Sequence, residues 1–296
     1  MKKTFRGILC AVCCLLLAFV VLVGCADDGE RLSFSAEKVF TESHEVSRSY
    51  QGAAAYGKYF FQFSDHMENV GVYDLDEKKL IGVTSLQKNE LYHCNNAGFG
   101  KEFWSEEDEF PLLYVSMENI DAHCALVFRV QKANGEFLFT QVQTIRYPDP
   151  RTSGAYYPNS VVDGENGLIY VMGYTDNSYE KKKNNLIRVT KFGLPGKDTS
   201  DVQLKAEDAL DDFEVESVTA TQGAIVRKGI IYQVYGFGGK SFLKLLDPDK
   251  KEYIATVRLP KYKFRAEPEC LVYYNGALFC ADVNGVVYRF SVVGLE

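Results

Sequence analysis

The stretch QGAAAYGKYFFQF at residues 51–63 returns as QGAIVRKGIIYQV at residues 222–234, and the Asp74 that follows the first copy is matched by Asp247 after the second. The glutamines are 171 residues apart and the aspartates 173, so one loop between them carries two extra residues. A repeat of this kind means a fold built by stacking one β-unit.

The clearest beat of the repeat is a turn residue followed three positions later by an aromatic inside an apolar run. Gly57 leads to Phe60, Pro111 to Tyr114, Gly167 to Tyr170, Gly229 to Tyr232 and Gly276 to Phe279, with successive aromatics 54, 56, 62 and 47 residues apart. Each unit continues as strand, polar turn, strand. Val72-Tyr73-Asp74-Leu75 and Leu80-Ile81-Gly82-Val83 flank residues 76–79 in the first unit, and Leu245-Leu246-Asp247 and Tyr253-Ile254-Ala255-Thr256 flank residues 248–251 in the fourth. These are half-buried strand patterns. Asn134-Gly135, Asn275-Gly276 and Asn284-Gly285 read as tight hairpin turns, because a type I′ turn needs positive φ at both central positions.

No stretch after the leader carries apolar residues at helical spacing for long, so the chain is expected to be all-β. Five units, each of four antiparallel strands, predict a β-propeller, the radial arrangement that leaves only short, protected sheet edges. The last unit is one strand short, since the chain ends at Glu296 soon after the run 286–292, and residues 32–40 are available to supply the missing strand and close the ring. A two-sheet sandwich is the alternative, but its strands recur every roughly 8–12 residues without a longer super-period.

Residues 1–24 stand outside the repeat. Lys2, Lys3 and Arg6 make a basic head, and residues 8–23 form an uncharged apolar core. That core is shorter than the roughly 20 residues of a spanning helix and has the make-up of an export signal. Leu22-Val23-Gly24-Cys25 resembles the lipobox of bacterial lipoproteins, which implies cleavage before Cys25 and lipidation of its sulfur; an ordinary anchor or signal with an incidental cysteine is the other reading. Residues 25–31 then form an acidic tether that resembles the surface-export tag of some Bacteroidetes lipoproteins, and residues 32–296 are expected to form one propeller domain. The predicted location is therefore an exported, membrane-anchored lipoprotein on the outer membrane, at the cell surface or its periplasmic face.

Without the leader, 30 basic side chains face 40 acidic ones, a formal charge of −10. Nucleic acid and anionic lipid headgroups are poor partners for such a surface. His93-Cys94 and His123-Cys124 lie in one unit, but neighbours on a strand point to opposite faces, which argues against a shared zinc ion. A Cys94–Cys124 disulfide is the stronger expectation for an exported chain. In a hairpin at Asn275-Gly276, Cys270 faces Ala281 and Leu271 faces Cys280, so those two thiols stay reduced.

The starts of the innermost strands are the candidate site. Glu269 precedes Gly276 by seven residues, Gln222 precedes Gly229 by seven, Ser160 precedes Gly167 by seven, and Gln51 precedes Gly57 by six. In a propeller these ends converge on the central channel, and Pro268 suits a strand start because it cannot donate to a ladder. The predicted funnel comprises Gln51, Asn95 or Asn96, Asn159 or Ser160, Gln222, Glu267 and Glu269, with Trp104, the only tryptophan, as a stacking platform. The same residues would otherwise bond free backbone groups and hold neighbouring blades together. Amides donate and accept at once and so suit sugar hydroxyls.

A glycosidase needs two carboxyl groups on either side of the scissile bond, whereas Glu267 and Glu269 come from one segment. Asp163, in Asp163-Gly164-Glu165-Asn166-Gly167, reads as a turn remote from the funnel. No nucleophile-elbow, zinc-protease, P-loop or EF-hand motif is present.

The Gln51-Gly52 and Gln222-Gly223 starts, Glu267-Pro268-Glu269 and the strand at residues 72–75 resemble the propellers of uncharacterised Bacteroides-type lipoproteins, and more faintly the teichoic-acid and phage receptor-binding propellers. The resemblance covers roughly residues 30–296 and implies a cell-envelope propeller. It transfers no catalytic residue. The expected function is a lipid-anchored, non-enzymatic binding or assembly module for a glycan, envelope polymer or envelope protein, without a cofactor. The runner-up is a five-bladed carbohydrate-active enzyme using Glu267 or Glu269. A third option is a structural Ca²⁺ held by Glu267, Glu269 and backbone carbonyls.

Overall fold

The computed structural model describes residues 33–293 except 47–48, 119–120, 177–185, 217–220, 237–239, 260–263 and 265. The leader, Cys25 and the acidic tether lie outside the described residues. Residues Phe34–Ser291 group into one compact unit; a second, Met1–Ser33 with Val292–Glu296, has only Ser33, Val292 and Val293 among them.

Five antiparallel sheets follow one another along the chain. Blade one contains β2 (Tyr50–Tyr56), β3 (Tyr59–Ser64), β4 (Asn69–Asp74) and β5 (Lys79–Ser85). Blade two contains β6 (Cys94–Phe99), β7 (Leu113–Met117), β8 (Cys124–Ala133) and β9 (Glu136–Arg146). Blade three contains β10 (Tyr156–Asp163), β11 (Leu168–Tyr174), β12 (Leu186–Gly193) and β14 (Asp211–Glu216), and blade four β15 (Thr221–Arg227), β16 (Ile230–Tyr235), β17 (Phe242–Asp247) and β18 (Glu252–Arg258). Blade five runs β19 (Val272–Tyr274), β20 (Ala277–Ala281), β21 (Val286–Val293) and, as its outer strand, β1 (Ser33–Thr41). The N-terminal segment therefore completes the last blade, as its missing strand predicts. Among the described residues, helix is confined to α1 (Pro150–Ser153) and a single 3₁₀ turn, Ala206–Asp208.

The beat aromatics Phe60, Tyr114, Tyr170, Tyr232 and Phe279 all lie on the second strand of their blades. Phe60 packs with blade five and its neighbour Phe61 with blade two, so both faces of blade one are buried. The same alternation puts Tyr114 against blade three and Val115 against blade one. That two-sided burial is why these strands read as apolar runs rather than as half-polar ones.

The two clear copies are also copies in space. Ala53 pairs with Gln62 and Ala224 with Gln233, each just past a bulge at the strand start. Asp74 Oδ1 accepts the backbone N–H groups of Asp76 and Glu77, and Asp247 Oδ1 those of Asp249 and Lys250, so both aspartates fold the same side-chain turn.

Three details depart from the sequence reading. A short strand, β13 (Asp201–Gln203), reaches back from blade three and pairs in parallel with β9, tying blades two and three at their rims. At Asn284-Gly285 only Gly285 has positive φ, whereas Asn134-Gly135 and Asn275-Gly276 have it at both positions. Cys94 and Cys124 are free thiols. They pair with Met117 from either side, so a whole strand separates them. Two strand spacings put their backbones roughly 10 Å apart, beyond the ~7 Å reach of a disulfide. Cys270 and Cys280 are also free, in a hairpin whose Tyr274–Ala277 pairing matches expectation.

Candidate functional site

The first strand of each blade lies at one end of its sheet order, which leaves its outer edge to line the central channel. Gln51, Asn95 and Gln222 are the second residues of β2, β6 and β15, and Asn159 is the fourth of β10. Glu269 lies three residues before β19, in a segment held to blade five by the Pro268–Asp282 bridge and a Glu269 N–H bond to the Ala281 carbonyl. Gln51, Asn95, Asn159, Gln222 and Glu269 are all at most 6% exposed.

These side chains bond across blades. Asn159 Nδ2 donates to Asn95 Oδ1 at 2.5 Å, and Asn96 Nδ2 donates to the Ser160 carbonyl at 2.9 Å while its Oδ1 accepts the Ala224 N–H. Gln222 Nε2 donates to Glu267 at 2.5 Å, and Gln51 bonds the Glu269 side chain. Residues i and i+2 of a regular strand point the same way, yet Glu267 reaches blade four and Glu269 blade one. The isolated bridge at Pro268 in place of a ladder allows this divergence. Glycine permits the close approach behind it: a Cβ on Gly223 would lie 2.3 Å from Cys270 Cα, and one on Gly52 2.7 Å from the Asn96 nitrogen.

Three further residues enter this polar end that the repeat register did not single out. His93, immediately before β6, shares a 2.6 Å hydrogen bond between Nδ1 and Asp65 Oδ1. Burial lowers the affinity of His93 for a proton, but the Asp65 bond and the charges of Glu118, Asp65 and Glu267 outweigh it and raise its pKa. Burial raises the Asp65 carboxyl, and the bond and charge of His93 outweigh it and bring it below its ordinary value. Glu118, just after β7, is pushed up to about 7 by burial against the opposing pull of His93. Glu269 is pushed up to about 9 by burial and by the charges of Glu267, Asp65 and Asp282, so it holds its proton at neutral pH. Burial also raises Glu267.

Three acceptors associated with this end are buried without a hydrogen-bond partner: Gln51 Oε1, Asn159 Oδ1 and Glu118 Oε2. Buried polar atoms are nearly always paired, so each is a place where an incoming donor would gain a bond. Among the described residues no group of three or more His, Cys, Asp or Glu is placed to hold a metal ion.

Trp104 does not join these residues. Its loop follows the far end of β6, where Lys197 Nζ donates to the Phe103 and Trp104 carbonyls. Asp163 closes β10 at that same far end, where it accepts from Asn166 in the expected turn. Between the inner strands at this end is a cavity of about 410 Å³ whose walls include Ala54, Ala97, Val161, Ala224 and Val272, one from each blade.

No family model matches the chain, and no curated protein matches it in sequence. Solved structures do match it in shape. A glutaminyl cyclase from Myxococcus xanthus superposes with a TM-score of 0.52 at 11% identity, covering 89% of this chain and 98% of that one. The PQQ-bound aldose sugar dehydrogenase of Streptomyces coelicolor gives 0.52 at 9% identity over 88% of this chain and 98% of its own. At such identities the likeness shows the propeller fold alone.

Proposed function

We propose that this chain is an exported propeller, tethered to the membrane through Cys25, that binds a glycan or envelope polymer at the polar end of its channel without altering it covalently. The three unpaired buried acceptors carry the reading, because sugar hydroxyls are donors and a polyol brings several in one ligand. The protonated Glu269 adds a donor beside them. The acidic surface and the leader sequence support the cell-envelope setting, as does the resemblance to envelope propellers.

Glycan-array screening followed by calorimetry tests the binding. Glu118→Gln keeps the side-chain volume but replaces an acceptor with a donor, so it should weaken the ligand found by roughly 1–3 kcal/mol with little change in melting temperature. Unchanged affinity in Glu118→Gln, with large stability losses in Gln222→Ala and Glu269→Ala, would leave the polar end as a set of blade staples. The tether has its own test. Cys25→Ser should abolish lipid labelling and leave the precursor uncleaved, and normal processing of that variant would remove the lipoprotein reading.

A second reading, a carbohydrate-active enzyme, draws on one observation. A carboxyl that holds its proton at neutral pH is what a general acid requires, and Glu269 is in that state. Glu267 would be its partner carboxyl, on the same segment. Hydrolysis of chromogenic glycosides that disappears in Glu269→Gln would select this reading over simple binding.

A further inference from the structure

We infer that Glu42 makes the closure of the ring respond to pH: β1 and the residues after it are held most firmly in acid and loosen as pH rises. Glu42 is the first residue after β1, and its backbone N–H donates at 2.7 Å to the Gly285 carbonyl, in the turn between β20 and β21. The residues behind it cross to blade one. Ser43 N–H donates to Tyr73 Oη at 3.0 Å, Tyr50 Oη donates to the Ser43 carbonyl at 2.8 Å, and Asn69 Nδ2 donates to the Val46 carbonyl at 3.1 Å. Val46 packs in one apolar cluster with Tyr50 and Tyr73 of blade one and Val272 and Phe279 of blade five. Residues 42–46 therefore form a wedge where the last blade meets the first.

Glu42 is 3% exposed, yet neither of its carboxyl oxygens has a hydrogen-bond partner. The titratable groups that face it are Asp282 from the β20–β21 turn, Tyr50 on β2, Tyr73 on β4 and Cys270 ahead of β19, and Glu45 of the wedge acts on Tyr73. Asp282 in turn meets Lys38, Glu269, Cys280 and Tyr288. Among the described residues the one charge acting on Glu42 is thus that of Asp282, another acid, and no group of three or more acids, His or Cys is placed to hold a metal there. A buried carboxylate with no partner is costly, so the proton is what neutralises it. Burial first, and the Asp282 charge second, hold the Glu42 carboxyl well above its ordinary value. The docked segment keeps a proton that the released segment gives up, so docking is strongest below the ordinary carboxyl range and weakens as pH rises above it. The cost falls at a chain end. β1 pairs with β21 alone, and it can undock without opening the blades that follow.

Hydrogen exchange of the mature protein, read by mass spectrometry at a series of pH values and corrected for the intrinsic pH dependence of exchange, tests the clasp. Protection of peptides covering β1 and residues 42–46 should fall with rising pH by up to about tenfold per pH unit, the limit for one group, and drop below that of β16. Glu42→Gln and Glu42→Leu each remove the ionisable group, and either folded variant should lose this pH dependence. Glu269→Gln, at the channel, should keep it. Protection of β1 that does not change with pH, that tracks β16 at every pH, or that falls equally in the Glu42 variants would overturn the inference.

Discussion

The two ends of the channel are built from the same five strands yet present opposite chemistry. At the strand starts, amides and carboxyls reach across to the next blade and fill the space between blades with hydrogen bonds. Two or three residues further along the same strands, alanine and valine leave an open cavity ringed by tyrosine and phenylalanine. The difference lies in side-chain length and polarity at equivalent positions, not in backbone geometry. A propeller channel is a fixed frame whose two mouths can be dressed independently.

The strongest perturbation of this contrast should come from the neck between the ends. Gly223→Ala places a Cβ against the Cys270 backbone, where neither side can move aside, and should cost roughly 3 kcal/mol by overpacking. Gly193→Ala, with nothing within 4 Å of the new Cβ, should be close to neutral in the same urea titrations. Similar losses in the two variants would mean that the inner strands are not in tight register.

A smaller and pH-dependent effect separates the polar end from the apolar one. Glu269 has an ordinary value of 4.5 and is pushed up to about 9, so the folded state keeps a proton that the unfolded chain releases above 4.5. Its stabilisation is complete below about 4.5 and is lost as pH rises towards 9. The slope approaches about 1.4 kcal/mol per pH unit for one such group. Glu269→Gln should therefore flatten the fall in stability between pH 5 and pH 9, measured as the urea midpoint at each pH. Parallel curves for the two proteins would show that Glu269 is not held protonated.

The smallest expected effect is the sharpest on geometry. Trp104→Ala, on the loop at the far end, should leave glycan affinity at the polar end within about twofold, or ~0.4 kcal/mol. A tenfold loss in calorimetry would place Trp104 and the strand starts in one site.

The fold was legible because the repeat carries its own register. A turn residue three positions ahead of an aromatic, glycine in four blades and Pro111 in blade two, marks the second strand of each, and a strand buried on both faces of its sheet must be apolar along its length. Gln51 and Gln222 were legible as equivalents for the same reason. Their descendants in the strand differ: Gln62 donates to the Gln51 carbonyl, whereas Gln233 accepts from Tyr235 and leaves its own Nε2 unpaired. Tyr235 stands where blade one has Ser64, so one neighbouring residue redirects an identical amide. Asp65 and Glu118 carry no periodic signal, since they follow second strands rather than begin first ones. His93 had a weak signal, as the residue immediately before the strand that carries Asn95.

Sequence alone determined the all-β class, the five units and the supply of the outer strand of blade five by the N-terminal segment, read as residues 32–40 and found as Ser33–Thr41, because local periodicity and turn chemistry act over a few residues and repeat without reference to the rest of the chain. Only the tertiary structure decided which polar residues meet. Closing the ring brings Glu267 to Gln222 and Glu269 to Gln51, drives Asp65 and His93 together, and sends Trp104 to the opposite mouth. Those pairings depend on the angle and register between blades, which are set by packing among side chains far apart in the chain.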